Sequence, residues 1–245
     1  MYDLSNKTAL ITGAGQSVGL GIAQQFARSG AHILINDIVS ERAQSVANAL
    51  CAEGKSATAL AFDVADADQV KHALNGTKVD ILVNNVGNAG SIPMEQTRFI
   101  DLSLDTIRQV INSNLYGVIH CTQAVLPGMC DRGFGRVICI GSEAGRQGLS
   151  IGVSPYGAAK AAIANLVRHV ALEVAASNVT CNTVSLGLMN NVPAEFTDAV
   201  LSSIPLGRLG TPDDAASMCL LLASDSGSWI TGQEFVVNGG SSVRG

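Results

Sequence analysis

Charged side chains make up only 14% of the 245 residues, and the 15 lysines and arginines nowhere gather into a run. With a net charge of -5 and no basic cluster, the chain lacks the electrostatic footprint of a nucleic-acid or anionic-membrane binder, and neither partner is expected. It also lacks any stretch of about 18 uncharged apolar residues of the kind that crosses a bilayer. Its first residues, MYDLSNKTALITG, contain no basic region leading into a long apolar segment. A soluble, unprocessed and most simply cytoplasmic protein is expected. Cys51, Cys121, Cys130, Cys139, Cys181 and Cys219 form no C-x-x-C and no zinc-type spacing, so all six are expected to act as small hydrophobes in a reducing compartment. The four histidines form no ligand pair, and no catalytic metal is expected. No Pro/Ser linker, composition shift or fixed-period repeat divides the chain, so residues 1–245 are expected to form one domain.

What is present is apolar: 47% of the residues, enough for a large core, with too few charges to cover the surface. Some apolar surface is therefore expected between subunits. Seven short β-branched or apolar runs (residues 8–12, 32–36, 57–62, 80–85, 136–140, 179–184 and 234–238) are separated by helix-length segments. That alternation predicts an α/β fold with a parallel sheet covered on both faces.

The first run leads straight into TGAGQSVGLG and then a helical pattern. In that context, backbone N–H groups at the helix start can hold a pyrophosphate. The second run ends in Asn36-Asp37, about 20 residues after the turn, where a carboxylate accepts hydrogen bonds from an adenosine ribose. Asp37 would repel a 2′-phosphate, and no Arg or Lys lies in the turn or immediately after it, which points to NAD(H) rather than NADP(H). Asp63, with Val64, ends the third run at the same sheet edge; it is a candidate for the adenine pocket or a cap for the next helix. The fourth ends in Asn84-Asn85-Val86-Gly87, where Asn side chains can tie loops together and Gly87 permits close approach to a ligand. Residues 103–129 read as one long helix with Asn114 near its middle, an internal position that invites a reason. Ser142 lies just beyond the fifth run, and Ser154-Pro155 opens a helix over 154–176. On that helix Tyr156 and Lys160, at i and i+4, share one face. A neighbouring cation favours the phenolate, lowering the phenol's pKa from about 10 toward the range of an effective acid/base.

These residues, with the terminal PLGRLGTPDD and ITGQEFVVNGG, resemble a short-chain dehydrogenase/reductase of the 250-residue Rossmann type over almost the whole length. The resemblance implies a single-domain, doubly wound, seven-stranded parallel sheet of order 3-2-1-4-5-6-7 and a homotetramer. It implies that Tyr156 is the acid/base, that Lys160 lowers its pKa and binds the nicotinamide ribose, that Ser142 polarises the substrate oxygen, and that Asn114 positions a relay water. It further implies a cofactor site of Gly13, Gln16, Ser17, Val18, Gly19, Asp37, Asp63, Val64, Asn85, Val86, Gly87, Gly187, Met189 and Asn191, together with Tyr156 and Lys160. Three departures from the family pattern stand out. Ser17 occupies the usual middle glycine between Gly13, Gly15 and Gly19, where its side chain could crowd the pyrophosphate or donate to it. Leu186-Gly187 replaces Pro-Gly, and Asn190 or Asn191 stands for a Thr. A register using Gly15, Gly19 and Gly21 is disfavoured because it would shift the helix relative to Gly30.

The segment 188–204 is the expected substrate lid, with Leu188, Val192 and Phe196, beside Ser142 and Tyr156, as candidate substrate contacts. Leu188, Met189, Val192 and Phe196 make it largely apolar, as do Ile151 and Val153 near Tyr156, unless they pack as a core helix. The expected substrate is a hydrophobic or alicyclic secondary alcohol or ketone, a 3-oxoacyl thioester being the enzymatic alternative. A dinucleotide-binding scaffold without turnover is the alternative from another class.

Overall fold

The computed structural model describes residues 2–87, 96–190 and 201–243. Strands β1 (Thr8–Ile11), β2 (His32–Ile35), β3 (Ala57–Ala59), β4 (Ile81–Asn84), β5 (Gly135–Ser142), β6 (Val179–Leu186) and β7 (Glu234–Val237) pair in parallel throughout. Their order, β3-β2-β1-β4-β5-β6-β7, is the one that the resemblance implies. Successive strand side chains point to opposite faces, which splits the core in two. Ile11, Ile33, Ile35, Val83, Ile138 and Val184 pack under α1 (Ser17–Arg28), α2 (Ser40–Ala52) and α7 (Pro212–Ala223). Leu10, Leu34, Leu82, Val137, Cys139 and Cys181 pack under α3 (Ala67–Leu74), α5 (Gly117–Asp131) and α6 (Ser154–Val174). Each fully buried Ile, Leu or Phe in these layers contributes about 2 kcal/mol of apolar burial.

Four cysteines (Cys121, Cys139, Cys181 and Cys219) fill this core, and burial pushes the Cys121, Cys181 and Cys219 thiols up to about 12 and that of Cys139 to about 11. Cys51 departs from expectation: it is exposed. Among the described residues no helix is long and apolar enough to cross a membrane, and no His/Cys/Asp/Glu group could hold a metal ion.

Several element boundaries differ from the sequence reading. β5 and β6 run two residues further, so Ser142 is the last residue of β5, paired with Leu186, rather than a loop residue beyond it. β3 stops at Ala59, although the Leu60 amide still donates to Ile35 O at 2.8 Å. α6 ends at Val174 in a short 3-10 turn that reverses at Asn178, φ 58°. The expected long helix over 103–129 does start at Ser103, whose hydroxyl caps the Thr106 amide at 3.0 Å. It is not uniform, however: α4 (Leu104–Ile111) passes through a π-turn (Asn112–Tyr116) before α5.

Candidate active site

The π-turn explains the internal Asn. At residue 114 a regular helix would use the backbone N–H to bond the carbonyl four residues back. Here the Asn114 side-chain amide reaches that carbonyl instead, donating to Val110 O at 3.0 Å. Asn114 is fully buried, and its Oδ1 is thereby aimed at the end of β4. A Cβ added to Gly87 would lie 3.2 Å from that oxygen and 2.9 Å from Lys160 Nζ. Gly87 is thus the position without a side chain at which Asn114, from the π-turn, and Lys160, from α6, come together.

Lys160 is 3% exposed and donates to Ile140 O on β5 at 2.9 Å. Its Nζ lies 5.6 Å from the Tyr156 ring centroid, one helical turn away. Burial lowers the Lys160 ammonium to about 8. Tyr156 moves opposite to the sequence expectation: burial raises its phenol, and a hydrogen bond with the Ser142 side chain pulls it back down. Desolvation of the phenolate sets the direction, and the Ser142 bond only partly opposes it. Ser142 Oγ is itself held, accepting from Ala144 N at 3.2 Å. Ser142, Tyr156, Lys160 and Asn114 therefore converge at the carboxyl edge of β4 and β5.

A second cluster is built on the turn between β1 and α1. Gly13 has φ 62°, and a Cβ on Gly19 would come within 2.4 Å of Gly13 O, so helix and turn touch backbone to backbone. Gly21 has another role: a Cβ there would strike Pro212 at the start of α7, so it allows α1 and α7 to pack together. Gly21 is thus accounted for by helix packing, and Gly13, Gly15 and Gly19 are the glycines at the turn. Ser17 is exposed and keeps the left-handed backbone, φ 50°, that a glycine would adopt freely. α1 has no side-chain cap and no acid in its first turn, which leaves its first N–H groups to an anion.

Asp37 is buried, and its Oδ1 accepts from Val39 N at 2.9 Å and from Arg42 Nη2 at 2.7 Å. Its Oδ2 faces the turn: a Cβ on Gly15 would lie 2.4 Å from it. Arg42 supplies a cation that the sequence reading, which weighed only the turn and the positions immediately after Asp37, did not count. It stands five residues on, in the first turn of α2, and also donates to Gln16 Oε1 at 3.3 Å. Asn36 and Asn85 lace the edge together, the first through Leu60 O and Phe62 O and the second through Thr12 O and Gly13 O. Thr12 Oγ1 accepts from the Asn85 and Val86 amides, and Val18 packs against the core beside them. Asp63 does not cap α3, a task done by Asp66; its Oδ1 takes the Ala65 amide at 2.9 Å. Val64 is buried and fills the space opposite Gly117, and its carbonyl is bonded to His120 Nδ1 at 3.0 Å.

At the third corner, a Cβ on Gly187 would lie 2.7 Å from Asn238 Cβ, so the chain's own C-terminal loop accounts for that glycine. Met189 was expected in the lid; its side chain instead enters the core, and residue 189 forms a bridge with Gly210. Leu188 remains partly exposed, as does Ile151, while Val153 is buried. Asn191, Val192 and Phe196 lie outside the described residues. Sequence reasoning missed Arg42, whose signal was a cation in the helix turn following the strand-end acid. It also missed Glu143, whose partners are 95 to 99 positions away and leave no local signal.

A dinucleotide suits these residues: glycines where backbones meet, an uncapped helix start, and a carboxylate oxygen facing the turn. Residues 13–242 match a family model described as enoyl-(acyl carrier protein) reductase. The oxidoreductase UcpA of Escherichia coli O157:H7 is 37% identical over 263 residues, covering 99% of this chain and 97% of that protein. A 3-oxoacyl-[acyl-carrier protein] reductase from Brucella melitensis, solved with bound NAD, superposes with a TM-score of 0.92 at 29% identity over 97% of this chain and 92% of the other. A gluconate 5-dehydrogenase from Burkholderia cenocepacia J2315, in complex with NADP and tartrate, gives 0.91 at 31% identity over 98% of both chains.

Proposed function

This chain belongs to the short-chain dehydrogenase/reductase family, and from that premise we propose an NAD-dependent oxidoreductase that transfers a hydride between the nicotinamide and a secondary alcohol or ketone of hydrophobic or alicyclic kind. The observation that carries this reading is that Lys160 and Asn114 meet at Gly87 while Tyr156, one helical turn from Lys160, hydrogen-bonds the Ser142 side chain. When bound, the nicotinamide supplies the hydride chemistry. Tyr156 gives a proton to the substrate oxygen or takes one from it, and Ser142 holds that oxygen by hydrogen bonding. Lys160 holds the ribose and, with Asn114 Oδ1, positions a water that resupplies the proton. Because burial raises the Tyr156 phenol, it stays protonated at neutral pH; ketone reduction is favoured there, and alcohol oxidation climbs as the solution becomes alkaline.

The preference for NAD(H) rests on Asp37, whose Oδ2 faces the turn while Arg42 occupies Oδ1. A free ribose hydroxyl can donate to that oxygen, and a 2′-phosphate cannot. The Brucella relative, solved with NAD, favours a second reading, a 3-oxoacyl thioester reductase. Against it, residues 188–204 contain no Lys or Arg to meet a pantetheine phosphate. We also propose a homotetramer in a reducing, cytoplasmic setting, supported by exposed Phe99, Ile100, Leu104 and Trp229 and by six free cysteines; a monomeric mass at micromolar concentration would contradict the assembly.

A panel of secondary alcohols, ketones and 3-oxoacyl thioesters, followed by dinucleotide absorbance with NAD(H) and NADP(H) in parallel, tests the reading. Turnover of an alcohol or ketone with NAD(H) is expected. Tight NADH binding without turnover of any member would favour the scaffold, and a clear preference for NADP(H) would overturn the Asp37 argument.

A further inference from the structure

Glu143 directly follows Ser142 and is 8% exposed, yet the proton chemistry gives it no task. Its Oε1 accepts three hydrogen bonds from the C-terminal loop: Asn238 Nδ2 at 2.6 Å, Ser241 Oγ at 2.8 Å and Ser242 Oγ at 2.7 Å. Its Oε2 abuts the exit of β6, 3.3 Å from where a Gly187 Cβ would stand. A buried carboxylate needs such donors, and removing it takes away the one acceptor that all three share, leaving Asn238 Nδ2 its bond to Ser242 O and Ser241 Oγ its bond to Asn238 O.

The loop it grips is itself stiff. Asn238 Oδ1 accepts the Gly240 amide at 3.0 Å, and Asn238 Nδ2 donates to Ser242 O at 3.0 Å. Gly239 and Gly240 take the left-handed backbone, φ 64° and 88°, that lets the chain fold back here. The loop's other side meets residues 204–206, with Leu206 N donating to Gly239 O at 3.1 Å and a Gly239 Cβ falling 2.7 Å from Ile204 Cγ2. On the opposite flank, a Cβ on Gly145 would meet the α6 backbone at Lys160 and Ala161 at 2.8 Å. The short turn Glu143–Gly145, which supplies the amide bonded to Ser142 Oγ, is therefore clamped between α6 and the C-terminal loop.

We propose that Glu143 is a positioning residue for the reaction: by pinning the C-terminal loop it fixes the turn that orients the Ser142 hydroxyl toward Tyr156. The proposal rests on the reading of Ser142 and Tyr156 given above. An alternative role confined to stability predicts a lower melting temperature and nothing else.

The test compares Glu143→Ala, Glu143→Gln and the Ser241→Ala/Ser242→Ala pair in the full-length protein. Glu143→Ala should lower kcat by about 10- to 100-fold, the scale of a small misplacement of a reacting group. The NADH dissociation constant should stay within about 2-fold, because the dinucleotide contacts are untouched. Glu143→Gln keeps an acceptor oxygen and should retain kcat within about 3-fold. The serine pair, which leaves the carboxylate in place, should fall between the two and carries the test if Glu143→Ala does not fold. Hydrogen exchange supplies a readout independent of turnover: the Ala144 amide should lose protection in Glu143→Ala and keep it in Glu143→Gln. A reduced melting temperature with wild-type kcat and a protected Ala144 amide would overturn the proposal. A wild-type protein with no turnover but the predicted exchange pattern would instead fault the assigned reaction and leave the positioning role standing.

Discussion

At the carboxyl end of β5, Lys160 is 3% exposed, Asn114 fully buried, and each is tied to a backbone carbonyl on a neighbouring turn or strand. At the carboxyl ends of β1 and β2, Ser17 stands exposed in a left-handed conformation, and Asp37 shares its charge with a partly exposed Arg42 from the next helix. Both regions lie at the edge of one sheet, where parallel strands deliver their last residues to a ligand. Their construction differs in how many independent elements fix each side chain. The chemical end draws on β4, the π-turn, β5 and α6, so little can shift without disturbing several contacts. The end proposed to hold the adenosine is one turn, one strand end and one helix start, and its ion pair can be rewired by a single substitution. Under the proposed function, the region around Lys160 and Asn114 is the more rigidly specified of the two, and the region around Asp37 the more readily changed by substitution.

The comparison can be broken most sharply at Tyr156. Tyr156→Phe removes only the hydroxyl and should lower kcat by about 10³-fold, within the usual range for a general acid/base. Near-normal turnover would move the chemistry away from this end altogether.

Lys160 sharpens the contrast through pH. Its folded value, about 8, lies below the ordinary 10.5, so between those values the unfolded chain binds more protons than the folded one and stability rises with pH. The buried ammonium's full penalty is present below pH 8 and is relieved by pH 10.5. Relative to Lys160→Met, the wild type should therefore gain about 2 kcal/mol between pH 7.5 and about pH 10, as each pKa unit is worth about 1.4 kcal/mol. Denaturant titrations of the two proteins at pH 7.5 and about pH 10 read the difference directly; parallel curves would mean that Lys160 is not desolvated.

Asp37→Ser addresses the other end. It leaves the guanidinium of Arg42 without its carboxylate and removes the repulsion toward a 2′-phosphate. NADPH affinity relative to NADH should rise by about 10- to 100-fold, equivalent to one charge-assisted hydrogen bond. Paired titrations in which the preference does not move would exclude Arg42 as the cation available to that phosphate.

The smallest effect is expected at Ser17. Ser17→Gly relieves a left-handed backbone but adds chain entropy to the unfolded state, for a net stabilisation of about 0.5 to 1 kcal/mol. A destabilised Ser17→Gly would show that the hydroxyl contributes to the folded turn.

Much of this arrangement was legible in the sequence because it is local. The parallel α/β alternation and the i, i+4 pairing of Tyr156 with Lys160 follow from runs and helix spacing, while the strand order is what the family resemblance implied. Asn114 could be flagged as unusual, but not that a π-turn accommodates it, since that depends on how α4 and α5 pack. The direction of the Tyr156 shift was misjudged because a helical neighbour is visible in sequence and desolvation by tertiary burial is not. Arg42 was overlooked by looking only at adjacent positions, though the turn into α2 returns residue 42 to Asp37. Met189 was read as lid or core alike, and its burial decides for core, a distinction that composition does not draw. Glu143 lay beyond any local pattern, its partners being contributed by the far end of the chain.

One set of measurements tests the separation of the two ends most directly: kcat and dinucleotide dissociation constants for the wild type, Tyr156→Phe, Asp37→Ser and the double variant, each with NADH and NADPH. The account predicts that Tyr156→Phe removes turnover without changing either affinity, that Asp37→Ser shifts the affinities while keeping kcat within about 3-fold, and that the two effects add. Turnover surviving in Tyr156→Phe, or collapsing equally in Asp37→Ser, would contradict it.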